Sequence, residues 1–161
     1  MNSKEYNQSV DLYSDNIYRF ILKNIRDENH ARDIVQDSYE KLWRNIENVN
    51  SEKVKSYLFT TAYHTMIDVI RKERRLTSIK DYHVPEETHD EQYSDLSEIL
   101  NEAVKRLPEI QRTVILLRDY EGYSYKEIGD CTLLSEAQVK VYIYRARVFL
   151  KNYIGKMEVV V

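Results

Sequence analysis

Two capping boxes set eleven residues apart constrain this chain more than any other feature in it. Ser124 with Glu127, and Ser135 with Gln138, each place a helix-capping hydroxyl three residues before a side chain that can bond back to the cap. Each box opens a helix, so the first of these helices must end within about two turns. A further helix precedes both. Residues 109–120 follow Pro108, which suits a first turn because its missing N–H is not needed there. They carry Ile110, Val114 and Leu117 at helical spacing and stop before Gly122. The span 107–153 therefore reads as three helices with tight breaks and a short middle member.

The last of the three has two opposed faces. Val139, Tyr142, Ile143, Ala146, Phe149, Leu150 and Tyr153 repeat at three-four spacing and form an apolar stripe. Lys140, Tyr144, Arg147 and Lys151 line a different side, and residues 137–157 hold five basic side chains and no acidic one. A short helix, a tight turn and a helix with one apolar and one basic side is the layout of a helix-turn-helix. Its second helix enters the DNA major groove. An ordinary amphipathic helix with a solvated basic face would show the same stripe, so this helix alone leaves both readings open.

The surrounding pattern decides between them. Leu107-Pro108 with Arg112, Tyr120-Glu121-Gly122, Glu127-Ile128, Ser135 with Val139-Lys140, and Arg145-Ala146-Arg147 resemble region four of bacterial sigma factors, above all the extracytoplasmic-function class. Two departures stand out. Gly129 replaces the family's usual alanine, and Thr132-Leu133-Leu134 lacks the usual turn glycine, so the turn must form without a residue that takes positive φ at low cost.

A DNA-binding reading must survive a net charge of −3. The charge is unevenly placed. Residues 1–75 carry 13 basic and 12 acidic side chains, residues 76–97 one basic and six acidic, and residues 98–161 ten basic and nine acidic. The acidity thus sits in the middle, where Pro85 and polar residues break all periodicity. That stretch reads as a flexible linker. Only three glycines and two prolines in 161 residues suit an all-helical chain. One cysteine excludes an internal disulfide, no Cys/His spacing suits zinc, and no apolar run reaches membrane-spanning length. With no apolar signal core at the start, a cytoplasmic protein is expected.

The N-terminal part holds helical patterns at 6–25, 31–46 and 54–75. In the second, Ala31, Ile34, Val35, Ser38, Tyr39, Leu42, Trp43 and Ile46 predict one continuous buried stripe, with Asp33, Gln36 and Asp37 on the other side. Ala31, Asp33, Gln36, Asp37, Tyr39 and Trp43 resemble region two of the same family. That resemblance implies that Asp33, Gln36 and Asp37 grip the clamp of the largest polymerase subunit. The polar loop 45–53 would form a pocket for a flipped promoter base.

Leu58, Ala62, Asp68 and Arg71 match the family's promoter-melting helix, with Tyr57, Thr61 and His64 standing in for its Trp, Ile and Asn. Rings interleaved with cations suit a melted strand, the rings stacking on bases and the cations following phosphates. Tyr57, Tyr63 and His64 are the candidate rings, although some rings of this helix must be core. Arg71, Lys72, Arg74 and Arg75 are the candidate phosphate contacts, against the plainer reading of a solvated helix end. In the C-terminal helix the resemblance implies base-edge readers at Lys140, Val141 and Tyr144 and phosphate contacts at Arg145 and Arg147. Ser135, Gln138 and Lys151 lie on the same DNA-facing element.

The expectation is an all-α chain of two small helical domains, 1–75 and 98–161, joined by a flexible acidic linker at 76–97. The C-terminal one is a helix-turn-helix that recognises the minus-thirty-five element. The N-terminal one docks on polymerase and recognises and melts the minus-ten element. As a sigma factor it would bind core RNA polymerase, through the clamp and the flap of the second-largest subunit, and promoter DNA, with an anti-sigma factor as regulator. No catalytic constellation and no cofactor motif is visible. The rival is a stand-alone helix-turn-helix regulator, which would leave the region-two resemblance unexplained.

Overall fold

The computed structural model describes residues 1–77 and 96–160. Most of the expected acidic linker lies outside the described residues, which are helical apart from short connections and contain no strand. In the N-terminal half, α1 (Ser3–Ile25) starts at a capping box in which Asn2 and Glu5 exchange bonds of 2.8 and 3.1 Å. It ends at Arg26, whose left-handed backbone returns its N–H to Leu22. Asp27 then caps α2 (Glu28–Arg44). A connection pinned by buried Val49 leads through a 3-10 turn, Ser51–Lys53, to α3 (Val54–Thr77). Ile17, Phe20, Ile21, Ala31, Ile34, Leu42, Leu58, Phe59, Ala62 and Met66 are buried between these three helices.

The stripe on α2 is shorter than its spacing predicts. It ends at Leu42, while Trp43 is 52 % exposed and lies edge-on to Tyr6 at 5.1 Å. Trp43 turns 100° away from Leu42, off the buried side of α2 and onto the ring of Tyr6 in α1.

In the C-terminal half, α4 (Leu96–Lys105) packs on α7 (Glu136–Val160), and α5 (Glu109–Ile115) runs into a π turn at Leu116–Tyr120. Residues 109–120 were expected as one regular helix, and the burial pattern explains the change. Thr113, Val114, Ile115, Leu116 and Leu117 are all buried. Five successive residues span more than a full helical turn, so this segment is buried all round, with α7 on one side and the N-terminal half on the other. The wider turn lets Leu116 accept from the N–H of Glu121, and Leu117 from that of Tyr123.

Both capping boxes form. Ser124 and Glu127 exchange bonds of 3.1 and 3.0 Å at the start of α6 (Tyr125–Thr132). Ser135 and Gln138 exchange bonds of 2.9 and 3.1 Å at the start of α7. Between them Leu133 takes the positive φ that a glycine would take more easily, at φ 64°, with its side chain 78 % exposed. The other departure completes this turn. A Cβ on Gly129 would stand 2.7 Å from the carbonyl oxygen of Leu134, so the chain can fold back tightly only over a glycine. Leu133→Gly is expected to stabilise the protein by about 0.5–1 kcal/mol, since left-handed backbone costs a leucine about 1–2 kcal/mol, glycine's greater freedom in the unfolded chain takes back part of that, and the exposed side chain packs on little. Gly129→Ala should destabilise by at least as much, because the obstacle is backbone. Thermal melts of the two variants should shift in opposite directions.

The halves do not stand apart. Their buried residues form one continuous cluster. Phe59 of α3 meets Phe20 and Tyr123, each at 5.6 Å. Buried Asn24 accepts from the Thr113 hydroxyl at 3.2 Å. The His64 ring reaches the Cys131 carbonyl at 3.0 Å. Arg26 from one half and Arg112 from the other both donate to the carbonyl of Lys105. Lys55 faces Glu121 at 3.9 Å. Burial pushes the Glu121 carboxyl up, against the pull of Lys55, Arg19 and Lys23.

Candidate nucleic-acid and polymerase interfaces

The helix-turn-helix follows from local chemistry. Ser124 and Ser135 start α6 and α7, and Ile128, Val139, Ile143 and Ala146 lock the two helices together from inside. This leaves one side of α7 outward. Ser135, Gln138, Lys140, Val141, Tyr144, Arg145, Arg147 and Lys151 are all exposed, so every residue assigned to this helix lies at its surface. Tyr144 is 70 % and Val141 45 % exposed.

Their neighbours divide this set. Arg147 donates to Asp119 at 2.6 Å, and that bond, ahead of the other influences on it, holds its guanidinium protonated beyond the ordinary value. Arg147 thus ties the recognition helix to the end of the π turn. Lys140 stands over the ring of Tyr125 at 5.5 Å, and Arg118 lies over the same ring at 4.4 Å. Spacing could not reveal Tyr125 and Asp119, since both lie outside the recognition helix and reach it only through the fold.

On α3 the expected melting residues separate. Arg71, Lys72, Arg74 and Arg75 are exposed at its C-terminal end, where Arg74 reaches Glu109 at 3.0 Å. Tyr57 is half-buried, and its hydroxyl bonds to Asn45 and to the carbonyl of Lys41. Tyr63, expected as an available ring, is only 7 % exposed and is core in this conformation. His64 beside it is engaged by α6. The reason is α6, which packs against α3.

The face of α2 opposite the core is open. Asp33 and Gln36 are exposed, while Asp37 is half-covered and pairs with Lys41 at 3.3 Å. Lys41 in turn reaches the Thr65 hydroxyl at 2.9 Å, so Asp37 is tied into the bundle in a way its two neighbours are not.

The family description "Sigma-70 region 2" matches residues 10–76, and "Sigma-70, region 4" matches residues 97–150. The chain is 28 % identical to the ECF RNA polymerase sigma factor SigM of Bacillus subtilis (strain 168), over 87 % of this chain and 89 % of that one. It is 29 % identical to the RNA polymerase sigma factor SigV of the same organism, over 89 % and 87 %. Its fold matches that of the sigma factor RpoE from Bartonella quintana, solved with the anti-sigma factor NepR, with a TM-score of 0.82 at 24 % identity, covering 94 % of this chain and 98 % of that one.

Proposed function

From the premise that this chain belongs to the sigma-70 family, in its extracytoplasmic-function group, we propose how its surfaces share the work of directing RNA polymerase to promoters. Residues 98–161 read the minus-thirty-five element, residues 1–75 dock on polymerase and handle the minus-ten element, and residues 76–97 connect them. The observation that carries the reading is the outer face of α7. Lys140, Val141, Tyr144 and Arg145 are exposed together there. An isolated valine and tyrosine among cations have no packing use, whereas base edges and methyl groups in a major groove supply partners for Lys140, Val141 and Tyr144. Arg145 and Arg147 serve phosphate, with Lys151 on the same DNA-facing element.

Asp33, Gln36 and Asp37 form the polymerase-binding face, with Asp33 and Gln36 as its freely presented members. Tyr57, Tyr63, His64, Arg71, Lys72, Arg74 and Arg75 serve the minus-ten element. Because α6 covers Tyr63 and engages His64, the halves must separate before both can meet a melted strand. The packed form is therefore a resting form. An anti-sigma factor acting on this form is part of the same proposal, as is action in the cytoplasm, where the polymerase works. The chemistry of RNA synthesis is the polymerase's own.

The reading is tested on polymerase reconstituted with the full chain. Lys140→Ala is expected to cost about 1–3 kcal/mol, concentrated at one or two upstream base positions. Arg147→Ala should weaken all sequences about equally and lower the salt slope by about one. Sequence preference and salt slope untouched by either change would mean that α7 does not enter the groove.

A further inference from the structure

Tyr125 opens the first helix of the helix-turn-helix, and its sequence context suggests no more than a partly buried aromatic. Its surroundings are unusual. The guanidinium of Arg118 lies 4.4 Å from its ring centroid and the ammonium of Lys140 lies 5.5 Å from it. Arg118 is itself fixed, donating to the carbonyl of Tyr123 at 2.8 Å. The ring therefore rests on an anchored cation and meets Lys140 through its π system, which attracts an ammonium electrostatically. Backbone fixes the ring as well, because the Ser124–Glu127 capping box sets the first turn that carries it.

A lysine has a flexible stem of four carbons and many rotamers of similar energy. Placed alone on an exposed helix face, it would sample many directions and discriminate poorly between neighbouring bases. A ring beneath its ammonium narrows that choice before DNA arrives, and the order is retained in the complex.

We propose that Tyr125 is a positioning residue for promoter recognition: its ring, braced by Arg118, aims Lys140 at its base without touching DNA itself. The proposal rests on the reading that α7 enters the major groove. Tyr125 thus meets one cation of the recognition helix, Lys140, and one of the element preceding it, Arg118.

The test uses polymerase reconstituted with the full chain and a pool of duplex promoter fragments randomised across the upstream element, with bound fragments sequenced. Lys140→Ala should flatten the preference at one or two positions. Tyr125→Leu removes the π face but keeps apolar bulk, and should lower preference at those same positions by about two- to fivefold, the range of an exposed cation–π contact. Tyr125→Phe keeps the ring and should restore the discrimination. The double variant Tyr125→Leu/Lys140→Ala should be no flatter than Lys140→Ala alone, because both act through one side chain.

An even loss across all sequences with a shallower salt slope would overturn the proposal, since it would make Tyr125 a backbone contact. So would a lowered melting temperature with the preference profile unchanged. If Lys140→Ala itself leaves the profile intact, the groove reading fails first and the proposal falls with it.

Discussion

Tyr123→Asp is expected to part the two halves of the chain while leaving each folded. Tyr123 sits in the turn before α6 and meets Phe59 of α3 edge-on at 5.6 Å, with Lys55 at 5.2 Å from its ring. Burial pushes its phenol well up, as it does the neighbouring Cys131 thiol, to about 11, so the medium at this seam is poor in water. A carboxylate placed there loses hydration, and removal of the ring forfeits about 1.5–3 kcal/mol of apolar burial. Separation relieves both costs, because an opened seam hydrates the carboxylate at once.

Packed as one body, 161 residues should show a radius of gyration of about 15 Å. In small-angle scattering the variant should exceed the wild type clearly, with helical circular dichroism retained. Tyr123→Phe, which keeps the ring, should stay compact, as should Lys126→Asp on the exposed side of α6. A variant that keeps the wild-type radius would show that this seam does not hold the halves together. One that unfolds would show that neither half stands without the other.

Asp33→Arg should cut binding to core polymerase at least tenfold while moving folding stability by no more than about ±0.5 kcal/mol. Asp33 lies on the outer face of α2, exposed, away from the stripe of Ala31, Ile34, Ser38 and Leu42. Nothing in the core requires it. Asp37, four residues and so just over one turn further along the same helix, is a poorer choice for the test. Its pair with Lys41 links to Thr65 on α3, so reversal there would disturb the bundle as well as the face.

Reversing one charge at a desolvated contact costs more than its removal, because attraction becomes repulsion. The measurement is competition between the variant and the wild-type chain for a limiting amount of core polymerase, beside a chemical melt of each. Equal competition by a folded Asp33→Arg would move the docking face elsewhere on the molecule. Failure of the wild-type chain to compete would count against the polymerase assignment itself.

Much of this protein was legible because its signals are local. Ser124-x-x-Glu127 and Ser135-x-x-Gln138 cap their own helices, and a capping bond spans three residues whatever the rest of the chain does. The apolar stripe of α7 and the outward row from Ser135 to Lys151 follow from the helical repeat alone. So does the separation of Asp33 and Gln36 from the buried side of α2. The missing turn glycine also announced its consequence, which Leu133 bears.

The tertiary structure decided whatever depends on two distant segments meeting. Trp43 fits the buried stripe by spacing, yet only the edge of Tyr6 from α1 meets its ring and it stays half exposed. Residues 109–120 look amphipathic, yet 113–117 lie between α7 and the N-terminal half and are buried all round, with a π turn to reconcile the two sides. Tyr63 and His64 could not be sorted from the other rings of α3, because their fate depends on α6, more than sixty residues away. Periodicity records which side of a helix is apolar. Which neighbour covers that side, and whether a polar residue is held or free, depends on contacts whose sequence separation carries no local signature.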